Sequence, residues 1–140
     1  MLDTNAVLDA LLFDDASMRA LMLEVRAARL QWLVTPRMRS EFLHVLARPM
    51  LAKYITDGER TLSDFDRLAN VRDETTPGSF PRLVCRDSDD QVFIELALRE
   101  RASWLVTRDR DLLRLAARAR RLNLQILTPP AWIARQAAAV

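Results

Sequence analysis

The chain has 140 residues, half of them hydrophobic, which is enough for one domain spanning 1–140 with an ordinary buried core. One cysteine, Cys85, excludes an internal disulfide and fits a reducing compartment, no apolar run approaches the ~18 residues of a membrane span, and MLDTNAVLDALLF lacks the positive leader of a signal peptide. A cytoplasmic protein without a membrane partner is expected. The net charge of +2 and pI near 9.3 hint at a nucleic-acid partner. Lys53 is the only lysine, and arginine suits bidentate phosphate contacts, although a GC-rich coding sequence gives the same bias.

In chain order, Leu2 and Asp3 follow a stub of strand, and AVLDALLF reads as a short helix that Asn5 could cap. Residues 14–29 place Met18, Leu21, Met22 and Val25 on one helical face. LQWLVT, 30–35, is a buried strand pattern, and Pro36 opens a helix reaching about Ala47, since Pro49 disfavours helix at Arg48. Residues 50–72 read as one or two helices burying Leu62, Phe65 and Leu68. Residues 73–86 are irregular, with Leu83 to Cys85 a possible strand. A helix entered by Asp87, Asp89 and Asp90 runs to about Arg101, followed by the strand pattern ASWLVT, 102–107. A helix over 111–121, a strand over 124–127 and a closing helix from Pro129 complete the chain. The alternation implies an α/β fold, a parallel sheet of about four or five strands with helices on both faces.

Two glycines leave no room for a dinucleotide fingerprint or a Walker loop. No serine or cysteine has the setting of a nucleophile, and His44 would have to serve any triad alone. Glu41 and His44 form one Glu-x-x-His where di-iron bundles use two, so His44 is expected at the surface or in packing. Carboxylates remain. Asp3, Glu41 and Asp109 each follow a strand pattern, and Asp90 opens the helix that leads to Asp109, so all four fall near the edge of a parallel sheet where ligands bind. Grouped carboxylates repel unless a cation joins them or some are protonated. Hard oxygen donors suit Mg²⁺ or Mn²⁺, ions that can activate water in phosphodiester hydrolysis. Arg110, Arg114 and Arg118 fall nearly in line and could follow an RNA backbone, although a solvated helix face has the same pattern.

The segments LDTN, SEFLHVLARP, CRDSDDQVFIELAL and WLVTRDRDLL, in this order, resemble the PIN-domain family, and more narrowly its VapC-like branch, the toxin components of bacterial toxin–antitoxin pairs. The resemblance covers nearly the whole chain. It implies a PIN-like three-layer sandwich and a ribonuclease dependent on Mg²⁺ or Mn²⁺. The acidic quartet maps to Asp3, Glu41, Asp90 and Asp109, with Asn5 and Thr107 in support and Asp87, Asp89 and Asp111 as second choices. It further implies a cognate antitoxin and a homodimer. Family members usually carry several apolar residues before the first aspartate; here there are two, so either the start is placed late or the first strand is short. Two other readings fit the same residues: a PIN-type nuclease of RNA maturation without an antitoxin, and a non-catalytic binding module.

Overall fold

The computed structural model describes residues 1–74 and 79–139. Helix α1, Thr4–Leu11, and α2, Ala16–Arg26, come first, each started by an aspartate whose side chain accepts a backbone N–H of the first turn. Strand β1, Trp32–Val34, is buried throughout and leads into α3, Pro36–Leu46, capped by the Thr35 hydroxyl with proline in its first turn. A 3₁₀ segment, Pro49–Tyr54, then α4, Gly58–Leu68, and β2, Ala69–Val71, return the chain alongside β1. Beyond an irregular stretch lie α5, Gln91–Arg99, and β3, Trp104–Val106. Helices α6, Arg110–Leu113, and α7, Ala116–Arg120, precede β4, Gln125–Leu127, and α8, Pro129–Ala138, closes the chain.

All pairings are parallel: β1 with β2, β3 with β4, and Leu2 with Val106 as a single bridge. The fold is therefore α/β, as expected, but rich in helix. The expected sheet of four or five strands is present among the described residues as two separate pairs, with Leu2 bridged to the β3 side alone. Met1 and Leu2 are held firmly. The Met1 amine donates to the Trp104 carbonyl (2.9 Å) and its carbonyl accepts from Val106 (2.9 Å). Burial pushes that amine down to about 5, so it sits in the core largely neutral.

Three further expectations change. Residues 50–72 contain β2 as well as helix, and β2 is half-exposed and three residues long, too short to register as a hydrophobic pattern. Leu83 to Cys85 is no strand, because the Gln91 carboxamide takes the place of a neighbouring one: it donates to Leu83 O (2.9 Å) and accepts from Cys85 N (2.6 Å). The helix expected over 111–121 is divided between α6 and α7 at Arg114 and Leu115. Of the irregular stretch expected over 73–86, residues 75–78 lie outside the described residues.

The core has two concentrations. Helix α5 buries Phe93, Ile94, Leu96, Ala97 and Leu98, hence its nearly unbroken apolar run. Beside β1, the Phe65 ring stacks on Phe42 (4.9 Å between centroids) and meets Trp32 edge-on (4.8 Å). Each of the turns leading into β1, β3 and β4 passes through one residue in the left-handed region: Ala28 (φ 58°), Arg101 (φ 52°) and Asn123 (φ 62°). Removing the central ring by Phe65→Ala is expected to lower stability by about 3–5 kcal/mol, read as a shift of the urea midpoint with an unchanged slope.

Candidate active site

The strand ends determine where the acids stand. Asp3 follows Leu2, Thr107 and Asp109 follow β3, and Glu41 lies in the second turn of the helix after β1. Asp90 occupies the amino end of α5. The four acids line one open pocket of about 280 Å³, together with Thr4, Asn5, Asp89 and the arginines Arg37 and Arg48. Met38, Val45, Val92 and Phe93 form its apolar part.

Asp3 is the most buried of these acids, at 4% exposure. It survives there because both oxygens are engaged: Oδ1 accepts from Ala6 N (2.8 Å), capping α1, and Oδ2 accepts the Thr107 hydroxyl proton. Thr107 Oγ1 in turn accepts from Asp109 N (2.9 Å), and Asp109 Oδ1 accepts from Asp111 N (2.8 Å) and Leu112 N (3.1 Å) at the start of α6. Thr107 is itself fully buried and acts from beneath the pocket, supporting both acids without lining it. Burial pushes Asp3 above the usual aspartate value, and the hydrogen bonds from Thr107 and Ala6 oppose the shift.

Asp90 is bound differently. It stands at the cap position of α5, yet its side chain makes no capping hydrogen bond. Its pKa is pushed up to about 6, first by burial and then by the charges of Asp109, Asp87, Asp3 and Asp111. Of the second choices, Asp89 lines the pocket, Asp87 accepts from Asp89 N (2.9 Å) outside it, and Asp111 pairs with Arg114 (3.0 Å). Arg110, Arg114 and Arg118 do not line the pocket. His44 is exposed and also lies outside it, although Glu41 lines it.

The donor set is all oxygen, with carboxylates whose charges reinforce one another, and this chemistry suits a hard divalent cation. Among the described residues no three of His, Cys, Asp and Glu are drawn close enough to hold an ion in the present arrangement.

Arg37 and Arg48 were not singled out by the sequence reading. For Arg37 the signal was available in spacing, since Arg37, Glu41 and Val45 recur every four residues on one face of α3; Arg48 lies past the end of α3, in extended backbone before the 3₁₀ segment, where no helical spacing reveals it.

The Asp90 shift sets a pH dependence. Because the folded state binds this proton more tightly than the unfolded chain, stability falls as pH rises from 3.8 through about 6. In EDTA at pH 7.5, Asp90→Asn is expected to be more stable than the parent by roughly 1 kcal/mol after allowance for solvent screening, or about 3 °C in Tm. The gap should close as pH falls below the usual aspartate value of 3.8, which thermal melts across pH would record.

The family model of the PIN domain matches residues 1–111. Neither a curated protein nor a solved structure matches the chain.

Proposed function

The chain belongs to the PIN-domain family, whose members are generally nucleases, and from that premise we propose that it is an endoribonuclease dependent on Mg²⁺ or Mn²⁺. The single observation that carries this reading is the convergence of Asp3, Glu41, Asp90 and Asp109 on one open pocket that also contains arginine. Asp3, Glu41, Asp90 and Asp109 would hold the cation, which when bound would supply a polarised water and charge stabilisation at the scissile phosphate.

The residues divide the remaining work. Thr107 holds the Asp3 carboxylate and the Asp109 backbone in fixed relation, so two of the acids are preorganised before any ligand arrives. Asp90, whose side chain makes no capping hydrogen bond, would be free to join the ligand set without breaking a structural contact. Asn5, exposed at the rim, can donate to a substrate oxygen. The exposed Arg110 and Arg118 remain available for backbone contacts outside the pocket, whereas Arg114 would first have to leave Asp111.

The toxin role is the finer part of the proposal, resting on the ordered segments from LDTN to WLVTRDRDLL. In that reading an antitoxin covers the pocket, and the active form is a homodimer.

Purified protein incubated with a mixed RNA pool is expected to cut it in Mg²⁺ or Mn²⁺ and to leave it intact in EDTA. Asp90→Asn should lower the rate by at least about 10²-fold, since losing even a partner of a metal ligand costs up to that much. Cutting that persists in EDTA or is unchanged in the variant would sink the assignment. For the toxin role, induced expression should arrest growth, and co-expression of the protein encoded beside it should relieve the arrest.

A further inference from the structure

Five carboxylates line the pocket: Asp3, Glu41, Asp89, Asp90 and Asp109. A phosphodiester entering it meets their repulsion at close range, where Coulomb energies are weakly screened. The cations lining the pocket are Arg37 and Arg48. We propose that these two arginines are positioning residues that clamp the backbone phosphates of a single-stranded RNA on either side of the carboxylates. This rests on the nuclease reading and adds to it the path of the strand, along α3.

Three observations support the placement. First, among the described residues neither guanidinium is in an ion pair, although the pocket is full of acid, whereas Arg39 on the same helix is tied to Asp66 (2.7 Å). Second, both backbones are pinned while both side chains are exposed. Arg37 N donates to the Glu74 carboxylate (2.5 Å) and Arg48 N to Val45 O (3.1 Å). Third, Arg37 lies in the first turn of α3 and Arg48 just past its carboxyl end, with the pocket-lining Glu41 and Val45 between them along the chain. Arg37 also lines the adjoining depression formed with Glu74, Val92, Glu95 and Arg99, so the groove continues past it.

The arrangement separates two tasks. Carboxylates that attract a cation repel the substrate, and a bound cation only partly offsets them. Fixed guanidinium groups outside the acidic centre hold the phosphates without neutralising the acids, and their fork geometry suits the task better than a lysine point charge.

The test is binding of a short, fluorescent, single-stranded 2′-O-methyl RNA, which resists cleavage, in Mg²⁺ over about 50–200 mM KCl. Two lost phosphate contacts are expected to reduce the slope of log K against log salt by about 1.4, at about 0.7 per contact on a single strand. Arg37→Gln/Arg48→Gln should therefore bind at least about 10-fold more weakly at the low-salt end, with an unchanged circular dichroism spectrum because both side chains are exposed. Arg37→Lys/Arg48→Lys should recover most of the slope, since charge governs counterion release. Parent-like slope in the glutamine variant overturns the placement, as does a loss confined to Arg110→Gln/Arg118→Gln, which would move the strand to α6 and α7. Failure of the parent protein itself to bind overturns the nuclease reading and the placement together, so the two failures are distinguishable.

Discussion

The hydrogen bond from Thr107 to Asp3 joins residues 104 positions apart and fixes everything around the pocket. It allows a carboxylate to lie in the core, it starts α1 through the same carboxylate, and through the Asp109 amide it sets the beginning of α6. A buried acid without these donors would force the first strand out of place or take up a proton. With them, one hydroxyl ties the amino terminus to the carboxyl end of β3, and the two-residue strand stub stays seated.

Around that contact several carboxylates line one pocket. Elsewhere aspartates cap helices: Asp15 and Asp57 each accept backbone donors, and Asp9 and Asp15 meet Arg108. Asp90 stands at the same position before α5, but its backbone lies in the right-handed helical region rather than extended and its side chain makes no cap; it carries the raised proton affinity that follows from burial and proximity to other acids. Asp3 and Asp109, by contrast, cap α1 and α6 while lining the pocket.

Much of this was legible in the residues because local chemistry and tertiary position agree. Aspartate or threonine before a helix, proline in its first turn and an apolar run before an acid mark strand–helix junctions, and such junctions gather at one sheet edge. That is why Asp3, Glu41, Asp90 and Asp109 could be placed together without coordinates. What was missed depends on long-range partners. β2 exists because β1 offers it an edge, since its own three residues are half-exposed. Leu83 to Cys85 is satisfied by a side chain six to eight residues away, an arrangement no periodicity reveals. The choice among Asp87, Asp89 and Asp90 turned on a rotation of the chain within one turn, and two of the three line the pocket. Arg37 and Arg48 depend on what meets at the pocket wall, where one comes from the Glu41 face of α3 and the other from the chain just past its end.

The left-handed turns at Ala28, Arg101 and Asn123 precede the amino ends of β1, β3 and β4, while the acids after β1 and β3 gather beyond the carboxyl ends. One edge of the molecule is thus reserved for joints and the opposite edge for chemistry. The joint edge is therefore where the protein can be handled. Cys85, the only cysteine in the chain, is buried, so a cysteine introduced at the exposed Arg121, two residues before the left-handed Asn123, would offer an accessible thiol for a dye or a surface tether without straining the turn.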